Sequence, residues 1–562
     1  MEQASYVSGT SDVPLLGDTI GVFFDRAAER YANREAVIVR HQGVRWTFRE
    51  FKERVDALAV GLLALGFVPG DRIGIWSPNN AQWVLLQYAT AKAGLILVCI
   101  NPAYRTAELE HALKLSGCRG VVIASRFKSS DYLSMLRSLA PELDVCAPGA
   151  LQAARLPALE VVIHLDDEAQ AGMIAFDEVM ALGTAEHFAV LEALQDVLQF
   201  DDPINIQFTS GTTGLPKGAT LSHHNILNNG YFCGRATGLR EGDRLCIPVP
   251  LYHCFGMVMS SLACVTHGAT MVFPGEGFDA LSVLEAVHEE RCTALHGVPT
   301  MFIAVIEHPE FKRFDVSSLR AGIMAGSPCP VELMKRVLSE LNMSEVTIAF
   351  GMTETSPVSF QSAIDESVER RVSTVGRIMP HLEAKVVDAE GRIVPRGMSG
   401  EILVRGYSVM CGYWDDPERT AQAIDAAGWM HTGDTATIDD AGYCNIVGRI
   451  KDMVIRGGEN IYPREIEEYL FRHPHVEAAQ VFGVPDAKFG EELCAWIKPR
   501  AGHALHEDDI RDFCRGQIAH YKVPRYIFLV EAFPMTVTGK VQKFVMREQV
   551  IAELGLNEEK TA

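Results

Sequence analysis

Four hydroxyl residues, Thr209, Ser210, Thr212 and Thr213, share ten consecutive positions with Gly211, Gly214, Gly218 and Lys217. Glycines let backbone N–H groups approach phosphate oxygens, hydroxyls donate hydrogen bonds to them, and an ammonium adds positive charge. The chemistry on offer is the binding of a polyphosphate. The order differs from the nucleotide loop G-x-x-x-x-G-K-[ST], because Lys217 follows Pro216 and precedes Gly218. Composition alone would equally suit a surface loop. The alternating residues Ile204, Ile206 and Phe208 read as a strand leading in, and Ser222 reads as the cap of a helix leading out.

This run resembles the phosphate loop of the adenylate-forming superfamily, which includes acyl-CoA synthetases, luciferases and peptide-synthetase adenylation domains. Other motifs of the family follow in its order along nearly the whole chain. Phe350-Gly351-Met352-Thr353-Glu354 resembles the aromatic-Gly-x-Thr-Glu element. The resemblance implies that Phe350 stacks on adenine, Thr353 binds the α-phosphate and Glu354 holds Mg²⁺, a hard cation suited to carboxylate and phosphate oxygens. Tyrosine is commoner at position 350, so this chain keeps a stacking face and gives up a hydroxyl. Gly326-Ser327-Pro328 resembles the other side of the adenine pocket. Asp434, in Thr432-Gly433-Asp434, matches the ribose ligand, with Arg449 as the second. Lys451 and Asp452 fall at the family's hinge, and Lys540, in Pro534–Lys540, matches the catalytic lysine.

The resemblance is closest to the medium-chain acyl-CoA synthetase branch, through Pro250–Gly256, Ile378–His381 and Ile455–Pro463. It implies an enzyme that uses ATP, Mg²⁺ and coenzyme A to convert a short-to-medium-chain carboxylic acid into acyl-AMP and then acyl-CoA. Lys540 would serve the first step, and the turn Gly457-Gly458-Glu459 would line the pantetheine tunnel in the second. That turn would also be explained by chain geometry alone, since Gly-Gly suits a tight turn before a helix at Pro463. His253 is read either as a satisfied core histidine or as a substrate neighbour. Phe255, Met257, Met324 and Val358 are candidate walls of the acyl pocket. No aspartate stands near His253 to pair with an amino group, which argues against an amino-acid substrate.

These residues need a scaffold. Residues 36–48 read as a hairpin turning at Gln42-Gly43, followed by a helix with Thr47 and Glu50 as a capping box. Arg72–Trp76, Gln82–Lys92 and Leu95–Ile100 read as strand, helix and strand, and Gly120–Ala124 as another strand. Such alternation predicts an α/β fold with parallel sheets. Repeated strand-and-turn patterns from about 370 to 450 predict a β-barrel-like portion. The expected organisation is a large domain, 1–449, holding two α/β sub-domains and the barrel-like part. A small mobile α+β domain, 450–562, would carry Lys540.

The 562 residues carry 51 Lys and Arg against 72 Asp and Glu, a net charge of −21 that excludes nucleic acid as an expected partner. The cations that meet ATP must therefore be local. Thirteen cysteines without a C-x-x-C pair read as reduced thiols of a cytoplasmic protein, and no apolar run predicts a transmembrane segment. A homodimer and a lysine acetyltransferase acting on Lys540, in an exposed loop, are further expected partners. Three other readings remain: a ligase loading acyl-AMP onto a carrier protein, a luciferase-like oxidase, and a non-catalytic acyl-binding relative.

Overall fold

The computed structural model describes residues 3–556 except 167, 210–215, 328, 457–458, 487, 516 and 537–538, and omits the side chains of 372, 459 and 460. Its centre is two large sheets with helices between and outside them. The first sheet runs through Ile174–Ala175, Val161–His164, Gly120–Ile123, Arg72–Trp76, Ile96–Cys99 and Pro203–Thr209 with every neighbouring pair parallel. Lys217–Ser222 and Gly412–Tyr413 then extend it antiparallel. The second sheet has a parallel middle, Glu345–Gly351, Ala321–Ala325, Ala294–Gly297, Arg244–Cys246, Thr270–Phe273 and Glu35–Val39, with antiparallel strands at both ends.

Local sequence explains the elements around this centre. The hairpin Glu35–Val39 and Val44–Thr47 turns at Gly43, whose φ of 65° suits a residue without Cβ. Thr47 Oγ1 accepts from Glu50 N–H at 3.3 Å while Glu50 Oε2 accepts from Thr47 N–H at 2.8 Å, forming the capping box of the helix Phe48–Ala64. Phe51, Val55, Leu58 and Leu62 of that helix are fully buried. The helix Ala81–Ala93 is buried on nearly all sides because it lies between the two sheets. One apolar core fills this interlayer, and two more lie on the outer faces of the sheets.

A third sheet, Tyr6–Ser8, Leu382–Val387, Gly400–Gly406, Met430–Ile438 and Cys444–Arg449, is antiparallel throughout and supplies the barrel-like portion. Its inner residues Ala384, Val404 and Ala436 share a core with Leu295 and Ile348 of the second sheet. From Val454 onward the chain builds a separate sheet, in which Val476–Asp486 and Gly490–Pro499 form a long antiparallel pair. This sheet has two apolar clusters of its own, on its two faces.

Two sequence expectations are refined. The phosphate loop does not pass directly from strand to helix: Lys217–Ser222 returns antiparallel to Pro203–Thr209, so a second strand stands between the loop and the helix. Ser222 then caps the helix His223–Ala236 as expected, accepting from Asn225 N–H at 3.2 Å. Likewise, Val454–Arg456 and Glu459–Ile461 form a short hairpin before the helix that starts at Pro463.

Candidate active site

Three neighbouring parallel strands, Ala294–Gly297, Ala321–Ala325 and Glu345–Gly351, end side by side. The carboxyl ends of parallel strands are where open α/β sheets bind ligands. The next residues are Gly326-Ser327, the helix Pro299–Ile306, and the turn Thr353–Thr355. Gly351 is required by packing, since a Cβ there would lie 1.7 Å from Pro357 O. Phe350 is half-buried, while Thr353 and Glu354 are buried. Among the described residues no group of three or more metal-ligating side chains forms. One buried carboxylate, completed by phosphate oxygens, is the donor set that fits Mg²⁺ beside a nucleotide. Glu354 Oε1 accepts from the hydroxyl of Tyr413 at 2.8 Å, and its second oxygen makes no hydrogen bond among the described residues.

Asp434 and Arg449 are register partners on adjacent strands of the antiparallel sheet, with Arg449 Nε 3.2 Å from Asp434 Oδ1. Burial raises the Asp434 carboxyl above its ordinary value, and Arg449 partly offsets the shift. Lys451 and Asp452 follow at once in the exposed turn Ile450–Asp452.

Lys540 reaches this site from the C-terminal sheet. Its loop closes on itself, with Thr536 N–H donating to Lys540 O at 2.8 Å and Lys540 N–H donating to Thr536 Oγ1 at 3.1 Å. Gly539, at φ 77°, presses against the start of the helix Pro299–Ile306. A Cβ there would lie 2.9 Å from Val298 Cγ2 and 3.2 Å from Thr300 Oγ1. Lys540 Cε consequently lies beside Gly326, 3.8 Å from where a Cβ would stand. The lysine is half-buried rather than on an exposed loop, and it makes no ion pair among the described residues. Burial, followed by the charge of Arg449, lowers its pKa, against the pull of Glu354 and Asp434.

His253 caps the short helix Cys254–Gly256, its Nδ1 accepting from Phe255 N–H at 3.1 Å. Burial and the neighbouring Lys540 charge push its pKa down to about 3, so it is neutral with the proton on Nε2. It is half-buried, between the core and the site. Phe255, Met257 and Val358 belong to the large interlayer core, whereas Met324 packs in the core on the other face of its sheet. Met257 begins a π-helical turn, Met257–Leu262, a rare widening that is frequent at functional sites.

The structure thus brings together Thr353, Glu354, Asp434, Arg449, Lys540, His253 and Gly326. Lys217 joins them, its pKa lowered by burial and by Arg419 and Lys451 while Glu354 opposes the shift. Lys217, Arg449 and Lys540 meet here in the company of Glu354 and Asp434. Ser210, Gly211, Thr212, Thr213, Gly214, Pro328, Gly457 and Gly458 lie outside the described residues, as does the side chain of Glu459. Tyr413 escapes sequence reasoning. Its only signal is the run Gly412-Tyr413-Trp414, and its value comes from pairing with a strand almost two hundred positions earlier.

A site of this kind, at strand ends and met by a lysine on a loop that follows the C-terminal sheet, defines a nucleotide-dependent ligase. The chain belongs to the AMP-binding enzyme family: that family's model matches residues 24–414, and the model of its C-terminal domain matches 465–540. It is 49% identical over 555 residues to the medium-chain acyl-CoA ligase ACSF2, mitochondrial, of Danio rerio, covering 98% of this chain and 91% of that one. It is 45% identical to the putative acyl-CoA synthetase YngI of Bacillus subtilis, covering 97% and 99% of the two chains. Among solved structures, the anthranilate CoA ligase AuaEII in complex with anthranoyl-AMP superposes with a TM-score of 0.84 at 26% identity, over 97% of this chain and 99% of that one.

Proposed function

We infer that the protein is an AMP-forming acid–thiol ligase, an acyl-CoA synthetase for short-to-medium-chain fatty or related carboxylic acids. The observation that carries this reading is Lys540, delivered by the C-terminal sheet to the strand ends that hold Glu354, Gly326 and the Asp434–Arg449 pair. The similarity to medium-chain acyl-CoA ligases along almost the whole chain supports the substrate class.

The substrate carboxylate is already ionised, so the first step needs no general base. The burden is to bring two anions together and stabilise charge at the α-phosphate. Lys540 and Thr353 would contact the α-phosphate and carboxylate oxygens. Thr209–Lys217 would hold the leaving pyrophosphate. Asp434 and Arg449 would hold the ribose, with Phe350, Gly326 and Ser327 bracketing adenine. Glu354 would bind Mg²⁺, which offsets phosphate charge. His253, neutral at working pH, adds no competing positive charge and suits the side of an apolar acid. In the second step a thiol attacks the acyl-adenylate, and Lys540 must withdraw.

The same reading divides the chain at 449/450 and assigns the pivot to Lys451 and Asp452, where the exposed turn meets the separate C-terminal sheet. Gly457-Gly458-Glu459 would then face the pantetheine arm of coenzyme A. A homodimer and acetylation of Lys540 belong to this proposal, the latter requiring the half-buried lysine to leave its site. The thiol pattern supports a cytoplasmic location, although the ACSF2 ligases above are mitochondrial. No described helix is long and apolar enough to cross a membrane.

The test is AMP formation from ATP and Mg²⁺ across a panel of carboxylic acids, with and without coenzyme A. CoA-dependent turnover of apolar acids is expected. Pyrophosphate release indifferent to CoA would overturn the thioester step in favour of carrier-protein loading.

A further inference from the structure

Tyr413 joins two groups that arrive from distant parts of the chain. Its hydroxyl donates to Glu354 Oε1 at 2.8 Å and receives Lys217 Nζ at 3.2 Å. The same ammonium lies 4.4 Å from the centre of the tyrosine ring. A phenol carries one proton, so the direction is fixed: the proton faces the carboxylate and a lone pair faces the ammonium.

The sheet explains the placement. Tyr413 is the register partner of Ala219, two positions beyond Lys217, so the two side chains leave one face as diagonal neighbours. Thr420 Oγ1 accepts from Tyr413 N–H at 2.9 Å and fixes the strand from its other side. Tyr413 is 7% exposed and Glu354 6%, with Lys217 half-buried beside them, so the phenol meets the carboxylate where charge is weakly screened.

We propose that Tyr413 is the positioning residue for magnesium and the triphosphate, holding one oxygen of Glu354 and the Lys217 ammonium in fixed relation. The inference rests on the reading of Glu354 as the cation ligand. Oε1 is committed to the phenol, which leaves Oε2 as the oxygen that would hold the cation. Lys217, steered by the ring and the phenol oxygen, is kept from collapsing onto Glu354 as a direct ion pair that would consume both charges.

The test is equilibrium binding by calorimetry, without acid or coenzyme A, of the parent enzyme and Tyr413→Phe. MgATP affinity is expected to fall roughly 10- to 100-fold, the value of a hydrogen bond to a charged group. AMP affinity is expected to be unchanged, because AMP lacks the phosphates that Lys217 and a cation held by Glu354 would meet. Unchanged MgATP affinity, or an equal loss for AMP, overturns the proposal. In a Glu354→Gln background, Tyr413→Phe is expected to weaken MgATP less than it does in the parent, because only its hold on Lys217 is left to lose, and fully additive losses overturn the proposal even if the single variant is less stable. A parent enzyme that binds no MgATP overturns the reading of the site along with the proposal.

Discussion

Lys540→Ala should separate the two half-reactions. In the folded protein the ammonium is half-buried without an ion pair among the described residues, and burial and Arg449 lower its pKa. A lysine whose pKa is lower folded than unfolded penalises the folded state wherever it is charged, and the penalty fades as pH rises through the folded pKa. Removing it should therefore leave the unfolding temperature at neutral pH unchanged or slightly raised. The catalytic cost is of another order. Loss of one charged donor to developing phosphoryl charge is worth about 3–4 kcal/mol, on the order of 10²–10³ in rate. Lys540→Arg is expected to fail as well. The lysine stem passes beside Gly326, its Cε 3.8 Å from where a Cβ would stand there, and a planar guanidinium would not reproduce its reach. The assays are acid-dependent ATP–pyrophosphate exchange for adenylation, and acyl-CoA formation from supplied acyl-AMP for the second step. Adenylation should collapse while thioester formation persists. Undiminished exchange, or equal loss of both steps, would refute the reasoning.

Gly539→Ala places a Cβ 2.9 Å from Val298 Cγ2 at a left-handed φ, so the Lys540 loop should no longer dock; adenylation should fall about tenfold or more, from 1–3 kcal/mol of backbone strain plus lost contact, with thioester formation from acyl-AMP unaffected. The alkaline limb of the adenylation pH profile should lie below the ordinary lysine value of 10.5, because deprotonation discharges Lys540 and its pKa is lowered; stepped pH–rate measurements of pyrophosphate exchange read it. Lys451→Pro should impair thioester formation while sparing adenylation, measured by the same pair of assays. A preparation fully acetylated at Lys540 should lose adenylation and keep the second step, since acetylation cancels the charge.

Much of the scaffold is legible because local rules agree with the final structure. The Thr47–Glu50 capping box, the Arg72–Trp76 strand and the Ser222 cap each follow from side chains a few positions apart. The placement of Asp434, Arg449 and Lys540 in one site was implied only by ordered resemblance, since each alone would pass for a surface residue. The hairpin return Lys217–Ser222 is not legible in the sequence, because its Gly-Ala-Thr-Leu-Ser pattern carries no turn of its own before the helix cap. The sequence around Lys540 reads as an exposed loop, and the partial burial of the lysine is a property of docking, which pattern does not encode. Met324 illustrates the limit of an apolar pocket guess. The strand Ala321–Ala325 is buried on both faces, so its periodicity does not say which face meets the acid.

The register pair Asp434–Arg449 stands immediately before the turn Ile450–Asp452. On the proposed reading, the axle is mounted beside the residues that would grip the ribose. The swing that carries Lys540 away would then leave the adenylate moored to the stationary part. Pyrophosphate would depart first, to clear the path of the withdrawing lysine, then the thioester, with AMP the last cargo ashore.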